Sequence, residues 1–81
     1  MNVTVHLFAA AREAAGSEGC HLVLPEPASG LHVRAALAER FPRLAAVLTS
    51  ARLAVNEEYR AWDAPLADAD VLAVIPPVSG G

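Results

Sequence analysis

The side chains of this sequence best able to do chemistry are three histidines and a single cysteine. His6, His21 and His32 show none of the short spacings that mark a zinc site, so such a site would need the fold to assemble it. Cys20 adjoins His21, but neighbouring residues of a strand point to opposite faces, which disfavours a nucleophile and base pair. We therefore predict no metal site and no catalytic pair among them.

Acidic residues occur in two places that could form a metal or acid-base cluster. Asp63, Asp68 and Asp70 precede a predicted strand, and Glu57-Glu58 follow another. Side chains of this kind commonly form turns, because they hydrogen-bond to nearby backbone amides. We interpret these residues as turn formers. No glycine-rich phosphate loop follows a strand either.

The end of the sequence offers a different chemistry. Gly80-Gly81 come after an apolar segment, the pair Pro76-Pro77 and the pair Val78-Ser79. Because proline ends strand pairing, we expect residues 76–81 to form a flexible tail. Glycines without Cβ atoms can enter a narrow channel, and a carboxylate there can be activated as an acyl-adenylate. A frayed glycine end is the structural alternative, and Gly-Gly alone favours it.

Composition excludes several other functions. The 81 residues carry a net charge of -3, and the six basic residues are scattered arginines, so no nucleic-acid partner is expected. One cysteine forms no intrachain disulfide, and no apolar run is long enough to predict a membrane span or a signal peptide. We expect a single domain over residues 1–81 that is cytoplasmic and has no membrane partner.

Hydrophobic periodicity and turn residues predict the secondary structure. The predicted elements are a strand over 2–8, a short helix over 9–15, a strand over 20–24, a long helix over 30–41, a helical turn over 45–48, a strand over 52–56, a brief strand at 59–60 and a last strand over 71–75. Alternation places Val3, Val5 and Leu7 in the core, and Phe8 on the opposite face. Gly16 is expected to end the first helix.

The long helix is expected to cover the sheet. Ser29 is a good N-cap, and Leu31, Ala35 and Ala38, joined by Val33 and Leu37, predict its apolar stripe. Strands in this order with one long helix predict an α+β fold with a mixed sheet, for which the β-grasp (ubiquitin-like) arrangement is the natural candidate.

Motifs along the whole chain resemble one family. They are FAAAREAAG over residues 8–16, AVNEEY over 54–59, Pro65-Leu66 with Asp70, and IPPVSGG over 75–81. In this order and spacing they resemble the small subunits of molybdopterin synthase, which are ubiquitin-like sulfur carriers. One departure is Ala69, where the family usually has glycine, and this leaves the type of that turn open, since alanine resists positive φ.

The resemblance implies a mechanism centred on Gly81. An activating enzyme of the ubiquitin-activating type would use ATP to adenylate the Gly81 carboxylate, and a sulfur donor protein would supply the sulfur that replaces AMP. The large synthase subunit would then transfer sulfur from the Gly81 thiocarboxylate to cyclic pyranopterin monophosphate, in a heterotetramer of two small and two large subunits. The catalytic side chains would belong to the large subunit, and no cofactor would be tightly bound to this chain.

The resemblance also implies roles for other residues. Pro76, Pro77, Val78, Ser79 and Gly80 would give the tail access to its partners' active sites. By the same resemblance, a patch would dock both the activating enzyme and the large subunit; its residues would be Phe8, Tyr59 and Ile75. Ordinary scattered apolar exposure is the alternative.

Two other functions share this fold and tail. A thiamine-type sulfur carrier also ends in Gly-Gly, although the Pro76-Pro77-Val78 approach and the Arg12-Glu13 motif argue against it. A ubiquitin-like protein modifier would use the same adenylate without a thiocarboxylate. Since the chain has no lysine, it could not form chains on its own side chains, but it could still modify other proteins.

Overall fold

A computed structural model describes residues 1–77 of the chain, and in them five strands form one mixed sheet in the order β2-β1-β5-β3-β4. The elements are β1 (Asn2–Leu7), α1 (Ala9–Ala15), β2 (Gly19–Val23), α2 (Gly30–Arg40), a 3₁₀ turn (Pro42–Leu44), α3 (Ala45–Leu48), β3 (Arg52–Val55), β4 (Glu58–Arg60) and β5 (Val71–Ile75). The α+β, β-grasp prediction is confirmed.

The sheet is mixed because its first and last strands lie side by side. β1 and β5 pair in parallel, with Val5 opposite Leu72, and every other pairing is antiparallel. Alternation then sends Val3, Val5 and Leu7 of β1 to the same face as Leu72 and Val74 of β5, as the sequence predicts, and all five are buried. The two central strands therefore fix which face of the sheet is the core.

Helix α2 covers that face, but its contact surface differs from the predicted stripe. Val33 and Leu37 are fully buried, whereas Leu31 and Ala35 are exposed and Ala38 is half-buried. The prediction was wrong for Leu31 and Ala35, because a helix turns by about 100° per residue and burying Val33 with Leu37 rotates these two away from the sheet. They line an open groove between α2 and α3 instead.

The ends of the helices follow the predicted cues. The Ser29 Oγ accepts a hydrogen bond from the Leu31 backbone amide at 3.2 Å, so the N-cap is confirmed. Gly16 closes α1 in the left-handed conformation, with φ of 68°. At the other end of α2, the Arg40 guanidinium donates to the His21 carbonyl on strand β2 at 3.2 Å.

Aspartates hold the turns together, as predicted for Asp68 and Asp70. Asp68 accepts from the Asn2 backbone amide at 2.7 Å, and Asp70 accepts from the Ala67 amide at 2.8 Å. Asp70 also accepts from the Asn56 side-chain amide at 2.9 Å. These bonds tie the segment before β5 to β1 and to the β3–β4 turn.

Two further observations bear on the sequence predictions. Strand β2 ends at Val23, one residue before the predicted end, although Leu24 is buried and its amide donates to the Met1 carbonyl at 2.8 Å.

Over residues 1–77, no helix has both the length and the apolar character needed to cross a membrane.

Ala69 adopts the left-handed conformation, with φ of 69°, which answers the question that this alanine leaves open in the sequence. Its amide donates to the Asn2 carbonyl at 2.7 Å, which holds the turn in place against the cost of this conformation. Alanine at positive φ is destabilising by about 1–2 kcal/mol.

We therefore expect Ala69→Gly to stabilise the protein. The variant should raise the free energy of unfolding by about 0.5–1 kcal/mol, the relief of strain less the extra entropy of an unfolded glycine. Urea unfolding followed by circular dichroism measures it. The control is Ala67→Gly. Ala67 is exposed and does not have a positive φ, so this variant should destabilise the protein slightly. Equal effects of the two variants would contradict the interpretation of the turn.

Candidate functional site

The sheet face opposite α2 carries the candidate site. Strand register places four residues in one row across this face, in the order His6, Ala73, Ala54 and Tyr59. The next row joins Ile75 to Arg52, and Phe8 directly follows the end of β1 beside it. Two alanines thus lie at the centre of the face, with larger side chains around them.

This arrangement produces a hollow of about 440 Å³, which we call the sheet hollow. Because a methyl group rises little above the sheet, Ala54 and Ala73 form its floor. Phe8, Tyr59 and Ile75 contribute to its walls, so the structure brings the three predicted docking residues together. Their docking role itself stays a prediction.

Sequence reasoning missed other lining residues. His6, Ala54, Glu57, Val71 and Ala73 also line the sheet hollow. The alternation of β5 already places Val71 and Ala73 on the face of Ile75, but the contribution of Ala54 needs the β3–β5 register. Val71 is 45% exposed, Phe8 48% and Tyr59 55%, so three exposed large apolar side chains line one hollow.

Charged groups adjoin the sheet hollow at two positions. The Arg52 guanidinium lies over the Tyr59 ring, 4.1 Å from its centroid, and Arg52 pairs with Ile75 in the sheet. Glu57 lies in the β3–β4 turn, where it lines the hollow with φ of 71°. The apolar surface is therefore flanked by a positive and a negative side chain.

Strand β5 carries the chain from the sheet hollow toward its end. Pro76, directly after Ile75, is buried and Pro77 is exposed. The remaining predicted site residues, Val78, Ser79, Gly80 and Gly81, lie outside the described residues. The tail, its access role and the reacting Gly81 carboxyl thus stay predictions, whereas the position of the tail's root is observed.

His21 and His32 lie within hydrogen-bonding distance of other groups of the fold, and Cys20 lies in strand β2. His32 Nδ1 accepts from the Ser29 amide at 3.0 Å, and His21 Nε2 lies 3.3 Å from the Thr4 hydroxyl. Among residues 1–77, no three histidine, cysteine or acidic residues are grouped so as to hold a metal ion. Cys20 pairs with Val5, which faces the core, so Cys20 and His21 point to opposite faces as predicted.

Burial raises the pKa of the Cys20 thiol, and the charge of Arg40 lowers it by a smaller amount. The thiol is therefore held protonated more strongly than an exposed cysteine. Since the thiolate is the nucleophile, this environment is opposite to that of an activated catalytic cysteine.

Comparison with known proteins identifies the family. The model of the ThiS family matches residues 5–81. This chain belongs to the ThiS family. Its match to the family begins in β1 and runs through all five strands to the Gly-Gly end.

Individual known proteins resemble the chain over its whole length. The molybdopterin synthase sulfur carrier subunit of Arabidopsis thaliana is 38% identical over 81 residues, covering 100% of this chain and 84% of the relative. Small archaeal modifier protein 1 (SAMP1) from Haloferax volcanii has a TM-score of 0.90 and 29% identity, with 100% of both chains covered. The complex of subunits 1 and 2 of molybdopterin-converting factor from Helicobacter pylori gives a TM-score of 0.74 and 28% identity, again with 100% of both chains covered.

For Cys20 we expect slow alkylation in the folded protein. At pH 8, iodoacetamide should react more slowly with native Cys20 than with the same thiol in urea, because the raised pKa reduces the thiolate fraction. Mass spectrometry over time gives both rates. Arg40→Gln removes the pKa-lowering charge and should slow the native reaction further.

Linkage gives this pKa a matching effect on stability. The folded state favours the protonated thiol, so its stabilising contribution is complete below the unfolded pKa and is lost as the pH rises through the folded pKa. Native alkylation as fast as alkylation in urea would contradict the burial argument.

Proposed function

We propose that this chain is the sulfur carrier of a molybdopterin synthase, and that the carboxyl of Gly81 carries the sulfur. The observation that supports this most directly is the alignment with the Arabidopsis sulfur carrier subunit over 100% of this chain, including Gly80-Gly81. The described residues support the proposal, since an apolar hollow that a partner could occupy lies at the root of the tail.

The chemistry that we propose follows from the low reactivity of a carboxylate toward nucleophiles. An oxygen of a carboxylate is a poor leaving group, so the activating enzyme first forms a Gly81 acyl-adenylate from ATP and releases pyrophosphate. The donor protein then delivers sulfur at the oxidation level of sulfide, which attacks the carbonyl carbon, expels AMP and gives the thiocarboxylate. Its soft sulfur nucleophile attacks cyclic pyranopterin monophosphate in the large subunit and takes the place of a substrate oxygen, which leaves a thioester between Gly81 and the substrate. Water then cleaves the acyl–sulfur bond, so that the sulfur stays on the substrate and the Gly81 carboxylate is restored, while the large subunit supplies the acid-base side chains.

The large subunit is the main partner in this proposal. The Helicobacter complex joins subunit 1 to subunit 2 of molybdopterin-converting factor, and this chain resembles one chain of that complex over its full length. We propose a heterotetramer of two small and two large subunits, in which the sheet hollow receives the large subunit. The adenylating enzyme would use the same surface. The cytoplasmic location stays a prediction.

A protein-modifier function is the second candidate. It is favoured by the similarity to SAMP1, with a TM-score of 0.90. The thiamine-type carrier has less support, because the relatives from Arabidopsis thaliana, Aedes aegypti and Dictyostelium discoideum are all molybdopterin synthase sulfur carrier subunits.

We expect Gly81 to gain sulfur in a reconstituted reaction. With the activating enzyme, ATP and a sulfur source, the intact mass should rise by about 16 Da, the difference between sulfur and oxygen. Adding one residue after Gly81 should abolish the increase, and adding one residue before Met1 is the control that should retain it. Covalent adducts on other proteins without a mass increase would support the modifier function. Full charging of the variant extended after Gly81 would defeat the tail mechanism.

The sheet hollow should contribute binding energy to the large subunit. Phe8→Ala removes part of its wall and should weaken the affinity about 10-fold or more, since buried aromatic anchors carry much of an interface's energy. Ala73→Leu should weaken it as well, by filling the floor. Titration calorimetry with the large subunit measures both.

A matched control for these variants lies on the other side of the molecule. Leu31→Ala changes a residue that is 43% exposed, close to the 48% of Phe8, but lies on α2 away from the sheet hollow. It should leave the affinity unchanged. If Phe8→Ala and Ala73→Leu bind as tightly as this control, then the sheet hollow is not the docking surface.

A further inference from the structure

We propose that Arg52 and Glu57 set the direction in which the large subunit lies across the sheet hollow. The partner segment would place an apolar side chain in the hollow, a carboxylate against Arg52 and a basic group toward Glu57. This inference rests on the proposed function, and it adds the chemistry of the partner's surface to it.

Arg52 is already held in a binding geometry. Its guanidinium lies 4.1 Å from the centroid of the Tyr59 ring, which orients the planar group. Within residues 1–77, Glu58 and Arg60 form an ion pair at 3.6 Å. No carboxylate of these residues is paired with Arg52. An exposed, oriented guanidinium can donate two parallel hydrogen bonds to a partner carboxylate with little further loss of side-chain entropy.

Glu57 is held in place by the turn that contains it. The Asn56 side chain accepts from the Val71 amide at 3.0 Å and donates to Asp70 at 2.9 Å, so the turn is bound to the start of β5. Glu57 follows directly and lines the hollow. The backbone at Glu57 therefore has a defined position, and it places this residue next to the apolar surface.

The two charges lie at opposite ends of β5. Arg52 pairs with Ile75 at the end of β5, while the turn of Glu57 is bonded to Val71 at its beginning. Four residue steps along the strand separate Val71 from Ile75, or about 13 Å at 3.3 Å per residue. The distance suits one apolar side chain between two charged ones on a partner segment.

Opposite charges at the two ends give the surface a direction. In one orientation of the partner segment both charged pairs are attractive, and in the reverse orientation both are repulsive. The positive end is the end at which β5 continues into Pro76 and the tail. Docking in the attractive orientation would therefore place the partner's acidic group beside the root of the tail.

Charge reversal tests this proposal with the full-length chain and the large subunit. Arg52→Glu and Glu57→Arg should each weaken binding on the order of 10-fold, mainly through a slower association rate. Surface plasmon resonance at low and high salt gives the association and dissociation rates. The association rate of Arg52→Gln should depend less on salt than that of the wild-type chain.

Two neighbouring residues provide controls with the same changes in charge. Arg60 pairs with the buried Leu53 in the sheet, so its side chain starts from the opposite face to that of Arg52. Arg60→Glu and Glu58→Arg should therefore leave the affinity near the wild-type value. Circular dichroism checks the fold of each variant, and Arg52→Gln replaces Arg52→Glu if the latter unfolds.

The double variant Arg52→Glu with Glu57→Arg decides between direction and net charge. It restores the net charge but reverses the two ends, so we expect binding at least as weak as in either single variant. Recovery of wild-type affinity, or single variants that match their controls, would overturn the directional proposal while leaving the sulfur-carrier function intact. Failure of the wild-type chain to bind the large subunit would overturn both.

Discussion

The parallel pairing of β1 with β5 is the constraint on which the rest of the structure depends. It places the last strand in the middle of the sheet, with β3 bonded to its other side, so both backbone edges of β5 are occupied. A central strand with two partners cannot slide without moving every side chain to the wrong face. The root of the tail is thereby one of the best-fixed points of the fold, and Pro76 and Pro77 follow it outside the sheet.

The pairing of β5 with β3 shapes the open face of the sheet. The core face is filled by valines and leucines, but the open face has alanines at the paired positions 54 and 73. Small residues at the centre of a twisted sheet with aromatic residues around them leave a concave apolar surface. The fold thus has two apolar faces of different kinds, one closed by α2 and one left open.

Much of this structure was predictable from the sequence, because its local signals agree with the fold. These signals each involve only a few neighbouring residues. They are the period-two alternation in β1 and β5, the N-cap Ser29 before α2 and Gly16 at the end of α1. The rotation of α2 was not predictable, since a helix with apolar residues on several sides has more than one candidate stripe, and the sheet selects Val33 and Leu37. The floor of the hollow and the stacking of Arg52 on Tyr59 depend on strand register, which joins residues distant in the sequence.

The burial of Pro76 has a geometric consequence for the proteins that use the tail. If the folded body holds the chain as far as this residue, five residues remain between it and the carbon of Gly81 that would react. A fully extended chain gains at most about 3.4 Å per residue, so the reach is about 17 Å. If enzymes charge and discharge Gly81 as proposed, they must therefore place their reaction centres within that distance of Pro76, at the end of the central strand of the sheet.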